Sequence, residues 1–418
     1  MDFSVPEQVV EILDELKAHT YEAYLVGDCV RGLIMGEKPL DFDVVTNAEM
    51  NRLLAIFEDR YKVNTDYADK GEIIIINGAM GISVSPYRSR IAPDGKPVYC
   101  ERLEEDLRRR VYRANAVAYS MTEGITDPFD GLPDACGDNV ILNAIRYEPR
   151  PDAAQKKGRR SKVISNIFGF NPDSVFEALR RCATENTDIT PSTLDMVCEN
   201  AEMVFRMDKE KFHSEFRKML MGRRITDALM VFRPVIFTIF PKLAETDGFD
   251  QHSAVQEYPL YEHAARAVGY AVPEYSVRLA LLFHGIGKID CYSDRGGYYS
   301  YDGHGERGAM LTRQILTDLQ FPAELVRQVV FLVLHHDDDI NESNYTSYTA
   351  EYGADNVRLL LLMRSADVRA KRTDRRYEQC SLDLRSLADE VTKGRNETAR
   401  RNAVTFSDLK KLARNLGL

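Results

Sequence analysis

Residues 22–48 read EAYLVGDCVRGLIMGEKPLDFDVVTNA, and this stretch decides the fold. An apolar run ends in a turn at Gly27, Val30-Arg31 opens a helix, and Asp41 and Asp43 follow with one residue between them. On a strand, residues two apart share a face, so the spacing predicts two carboxylates side by side with Phe42 and Val44 packed beneath. Adjacent carboxylates repel unless a cation lies between them. Two hard oxygen ligands beside a phosphate-cradling turn are a means of holding Mg²⁺ for phosphoryl or nucleotidyl transfer.

Working outward, short apolar strands alternate with helices to about residue 146: YLVG, DFDVV, EIIII, GISVS and the segment INAMAY-like NAVAY. Val9, Val10, Ile12, Leu13 and Leu16 have helical spacing behind Pro6. The pattern predicts an α+β architecture, a small mixed sheet with flanking helices. The stretch 147–162, YEPRPDAAQKKGRRSK, reads as an exposed basic linker or insertion. Lys156, Lys157, Arg159 and Arg160 are its candidate RNA-backbone contacts, with a solvated loop as the alternative. Beyond 163 the spacing is helical almost throughout. We divide the chain into a head (1–146), the basic linker (147–162), a helical neck (163–245), a helical histidine-bearing domain (246–375) and a helical tail (376–418).

Composition sets the outer limits. The chain has 418 residues, 44% of them hydrophobic and 29% charged, enough for several domains with their own cores. No apolar run reaches membrane-spanning length and the first residues are acidic and amphipathic, so we expect no membrane partner and a cytoplasmic location. Seven scattered cysteines without CxxC pairs read as reduced core thiols. A net charge of −10 argues against indiscriminate nucleic-acid binding, and no DNA partner is expected.

The segment 22–48 resembles the head signature of the class II tRNA nucleotidyltransferases, the CCA-adding enzymes and bacterial poly(A) polymerases. The resemblance extends to EEDLRRRVYRANAVAY (104–119), TDPFDGL (126–132) and DKEKFHSEFRKML (208–220). It implies a DNA polymerase beta-like nucleotidyltransferase head followed by an all-α neck and body. It also implies catalytic, Mg²⁺-binding roles for Asp41 and Asp43. Gly27, Arg31, Arg109, Arg110 and Asn115 would hold the nucleotide, ATP or CTP, and the other substrate would be the 3′ end of tRNA or another RNA. The chain departs from the family at several polar positions. Asp28 stands for a glycine, Gly32 for an aspartate, Ser83 for a third metal carboxylate and Val111 for an aspartate that contacts ribose. The template helix aligns with PDSVFEALRRCA, which places Glu177 where an arginine belongs.

Five of the eight histidines fall at 263, 284, 304, 335 and 336. With Asp367 they resemble an HD phosphohydrolase domain, α-helical, in which His263, His284 and Asp367 would bind a transition metal. The aspartate of the His-Asp pair is Gly285. His304 and His335 could complete an imidazole site with His263 and His284. Three readings follow: a divergent tRNA nucleotidyltransferase, an RNA-binding paralogue that has lost transfer, and an HD-type metal phosphohydrolase.

Overall fold

The computed structural model describes residues 3–39, 41–92, 94–136, 139–145, 167–169 and 171–402, with side chains to 393. The basic run containing Lys156, Lys157, Arg159 and Arg160 lies outside the described residues. The chain divides into two compact units, Met1–Glu215 and Phe216–Leu418. This division is coarser than the one drawn from sequence, and it cuts the expected neck 163–245.

The first unit is α+β. Its strands are β1 (Tyr24–Val26), β2 (Phe42–Thr46), β3 (Lys62–Asn64), β4 (Ile73–Asn77), β5 (Met80–Pro86), the β6–β7 hairpin (Arg88–Ile91, Pro97–Tyr99), β8 (Ala118–Ser120) and β9 (Gly124–Thr126). Seven of them form one mixed sheet in the order β3-β4-β5-β2-β1-β8-β9. Only β2 and β5 pair in parallel, and their register sets Asp43 beside Ser83. Its α-helices include α1 (Glu7–Ala18), α2 (Asp28–Ile34), α3 (Met50–Phe57), α4 (Leu103–Arg109), α5 (Leu132–Ala135), α6 (Asp173–Thr184) and α7 (Pro191–Glu199).

Period-2 burial on β2 drives the packing. Phe42 and Val44 are each 1% exposed and join Leu25, Ile75, Ile82 and Val84 in one core, closed by Val9, Ile12, Leu13 and Leu16 of α1. Burying such side chains contributes about 1.5–3 kcal/mol each. β1 then delivers the chain to Gly27, whose φ of +74° is open to glycine at little cost, and α2 starts at the next residue. The short strands β3 and β9, the β6–β7 hairpin and a parallel pair, Val140–Leu142 with Thr187–Ile189, carry too few residues to show a period in sequence.

The second unit is helical apart from a two-stranded hairpin at Ser293–Asp294 and Tyr299–Ser300. Phe216, Phe240 and Phe283 meet edge to face at its centre, with ring centroids 5.2–5.6 Å apart. The buried Arg278 donates to the carbonyls of Leu220, Gly222 and Ala271 at 2.7–3.0 Å, which ties three segments together. The terminal helix Arg375–Asn402 is part of this core and not a separate tail: Leu387, Ala388 and Val391 are buried, and Ser381 bonds Ser365. All seven cysteines are free, but Cys136 and Cys380 are exposed, so the expectation of core thiols holds for Cys29 and Cys182 alone among the fully buried ones.

Phe42→Ala removes the largest core-facing side chain of β2. We expect it to lower the stability of the first unit by about 3–5 kcal/mol, read from the urea midpoint of sheet unfolding.

Candidate active site

The turn at Gly27 brings three elements together. A methyl group on Gly27 would lie 3.0 Å from the Arg110 guanidinium and 3.5 Å from Asp43 Oδ2. Arg110, at the end of α4, therefore faces Asp43 of β2 across the β1–α2 turn. Burial pushes the Asp43 carboxyl up, and Arg110 works against that shift. Asp41 precedes β2 and is exposed, while Asp43 is half-buried between the buried Phe42 and Val44. No three-ligand cluster among the described residues includes either aspartate, and Ser83 is what stands next to Asp43.

Arg110 is held by Asp106, one turn earlier on α4. The Asp106 carboxylate is fully buried and takes Arg110 Nη2 at 3.2 Å, Arg109 Nη2 at 3.5 Å and the backbone N–H of Arg88 at 3.0 Å. Desolvation would raise its pKa, but Arg109, Arg110 and Arg88 outweigh it and hold the carboxyl below its ordinary value. The Nε groups of Arg109 and Arg110 are buried and have no partner. Unsatisfied guanidinium donors beside a glycine turn suit an anionic ligand.

A second polar network fills the space behind α2. Arg31 Nη1 donates to Asp28 Oδ1 and to Asn115 Oδ1, both at 2.8 Å. Asn115 Nδ2 donates to Glu177 Oε1 at 2.8 Å. Arg181, with no exposed surface, reaches Asn115 at 3.3 Å, Asp28 at 3.4 Å and Glu177 at 3.5 Å. Desolvation works against the Asp28 carboxylate, yet Arg31 and Arg181 hold its pKa low. Two of the expected nucleotide contacts, Arg31 and Asn115, are thus engaged internally. Sequence reasoning missed Arg181; its one signal was a basic residue four positions from Glu177 on a helix whose other buried residues, apart from Ser174, are apolar.

Val111 is buried and has φ +66°. A β-branched residue in the left-handed region costs on the order of 1–3 kcal/mol, whereas aspartate tolerates it. The backbone here retains the conformation that suits the aspartate of the resemblance, while the side chain no longer offers an acceptor.

In the second unit, two triads converge: His263, His284 and Asp367, and His304, His336 and Asp337. Of the two adjacent histidines it is His336, not His335, that meets His304. His335 follows the helix Ala323–Leu334 and turns away, bonding Asp338 at 2.8 Å and packing on Phe331 and Tyr352. Its neighbour His336 faces His304, Nε2 to Nε2 at 3.2 Å. At Gly285 a Cβ would lie 2.5 Å from Leu260 Cδ1, so the direction in which the missing carboxylate would leave the backbone is already occupied. Gly287 permits a close approach of main chains: a Cβ there would be 2.2 Å from the His304 carbonyl oxygen and 2.6 Å from the Gly308 nitrogen.

The sheet order, the parallel β2–β5 pair and the aspartate-arginine turn at Gly27 define a nucleotidyltransferase-type head joined to a helical body. Residues 23–140 match the family described as the poly A polymerase head domain, and the head belongs to it. The CCA-adding enzyme of Lactococcus lactis is 28% identical over 232 residues, 52% of each chain. That of Geobacillus thermodenitrificans is 26% identical over 292 residues, 67% of this chain and 63% of the other. The chain thus spans about half to two thirds of the length of the curated relatives it matches. The CCA-adding enzyme of Bacillus stearothermophilus, solved with CTP, has TM-score 0.61 at 20% identity, covering 93% of this chain and 82% of that one. The Thermotoga maritima CCA-adding enzyme, solved with a tRNA, gives TM-score 0.54 at 14% identity, covering 93% and 82%. The fold is that of the solved CCA-adding enzymes, and the family match covers the head.

Asp106→Asn leaves Arg88, Arg109 and Arg110 without their shared anion and should cost about 3–5 kcal/mol. Because the folded-state pKa of Asp106 is depressed, its contribution is complete above the unfolded carboxylate value, about 3.9, and is lost as pH falls through the folded one. The variant should therefore show a smaller loss of stability between pH 5 and pH 2 than the parent, measured by urea unfolding at each pH.

Proposed function

We propose that this chain is an RNA nucleotidyltransferase of the CCA-adding type, extending the 3′ end of tRNA or a similar RNA from ATP or CTP. The observation that carries the reading is the turn at Gly27, where Asp43 faces Arg110 with its free Nε donor. In this reading Asp41 and Asp43 hold a divalent cation, Mg²⁺ by the chemistry of hard oxygen ligands. Bound there, the cation would align the 3′-hydroxyl with the α-phosphate and neutralise charge on the phosphates. The residues present fit it incompletely: two carboxylates and Ser83 supply the oxygens. Arg109 and Arg110, fixed by Asp106, draw the triphosphate into the turn and offset its developing charge. The CCA-adding relatives, one solved with CTP and one with a tRNA, support the choice of substrates.

A second reading has an observation of its own. Arg31 and Asn115 are committed to Asp28, Glu177 and Arg181, and Val111 provides no ribose acceptor. A paralogue that binds RNA without transferring nucleotides would carry such a filled pocket.

The test incubates purified protein with tRNA lacking its 3′-terminal CCA, each nucleoside triphosphate singly, and Mg²⁺ or Mn²⁺. Extension is expected, and its absence together with retained tRNA binding selects the second reading. Asp43→Asn should abolish extension, a drop of at least ~10³-fold in kcat. Selection among the four triphosphates should be weak, within ~10²-fold in kcat/KM, because a pocket without matched hydrogen-bonding groups rejects analogues poorly.

A further inference from the structure

The two histidine triads differ in one decisive respect, the protons they can hold. In His304 the Nδ1 atom is 2.9 Å from the Tyr301 carbonyl oxygen, and in His336 it is 2.8 Å from the Val333 carbonyl oxygen. A carbonyl only accepts, so both Nδ1 atoms carry hydrogen and both Nε2 atoms present lone pairs. Those two Nε2 atoms are 3.2 Å apart. Asp337 adds more acceptors, with Oδ2 3.1 Å from His304 Nε2 and Oδ1 3.7 Å from His336 Nε2. Three acceptors converge with no donor among them, and such an arrangement requires a positive centre.

The other triad supplies its own. His284 Nδ1 donates to the Leu281 carbonyl at 2.6 Å, so its Nε2 is bare. His263 differs: its Nδ1 is buried with no partner, and its Nε2 is 2.9 Å from Asp367 Oδ1 and 3.3 Å from His284 Nε2. Hydrogen on His263 Nε2 satisfies that contact. Lys371 Nζ lies 3.0 Å from Asp367 Oδ2 and neutralises the carboxylate. Both histidines are closed to solvent, and Leu260 occupies the direction a side chain at 285 would take.

We propose that His304, His336 and Asp337 bind one divalent transition-metal ion, and that His263, His284, Asp367 and Lys371 form a metal-free, hydrogen-bonded support behind it. The His-Asp dipeptide absent at 284–285 is present at His336-Asp337. Both liganding imidazoles already have the outer hydrogen bonds to backbone carbonyls that fix the metal-binding tautomer. Imidazole nitrogens with one carboxylate suit Zn²⁺, Co²⁺ or Ni²⁺ over Mg²⁺, and three protein ligands leave a position open.

Titrating metal-stripped full-length protein with Co²⁺ tests the assignment through visible d–d absorption and calorimetric stoichiometry. One equivalent is expected, with a tetrahedral or five-coordinate spectrum. Asp337→Asn, whose side chain is 62% exposed and whose change leaves the core untouched, should weaken binding at least ~10-fold, as should His304→Gln. His263→Gln should bind within ~3-fold of the parent, and Gly285→Asp should not bind more tightly. Circular dichroism of each variant confirms folding. Loss of binding in His263→Gln with retention in folded Asp337→Asn, or no binding by the parent at 100 μM Co²⁺, would overturn the proposal.

Discussion

The buried carboxylate of Asp106 is the constraint on which the head depends. An isolated anion in that position would be untenable, and three basic partners arrive from different elements to meet it: Arg109 and Arg110 from its own helix, and the backbone of Arg88 from the start of the β6 hairpin. That single point fixes the end of α4 against the sheet. It also directs Arg110 toward the β1–α2 turn, so the approach of positive charge to Asp43 follows from a structural pairing one turn away. An arginine held in place this way loses little further entropy when it meets an anion.

The polar network behind α2 shows how a pocket closes once its ligand contacts find partners within the chain. Asp28 at the first position of α2 attracts Arg31 and Arg181, and Glu177 draws Asn115 and Arg181 to itself. Asp28 and Glu177 are met by Arg31 and Arg181, so these four charges balance without an outside anion. Donors without a partner occur in both clusters, at the Nε atoms of Arg109, Arg110 and Arg181.

Sequence made the head legible where burial has a strong period. Phe42 and Val44 predicted the strand, and the aligned positions of Asp43 and Ser83 turned out to be neighbours across two paired strands. The α1 helix was equally plain. Short strands such as β3 and β9 gave no period to read, and the hairpin of β6 and β7 depends on a bulge between Arg88 and Arg90 that no pattern announces. At the histidines the obstacle was phase. His335 and His336 follow a helix end, where one residue changes direction by about 100°, and composition cannot choose between them. Arg181 was hidden for a related reason: only the fold reveals that this buried charged residue meets three acids, Asp28, Glu177 and Glu185, and an amide.

Gly287 sets a limit of another kind. The backbone of the 287 turn touches the backbone at His304 and Gly308, with no side chain interposed. The spacing between the segment that ends in His284 and the helix that begins with His304 is therefore a main-chain distance. Main-chain contacts do not adjust by rotamer, so any side chain at 287 would have to push the start of the His304 helix away from the turn that follows His284.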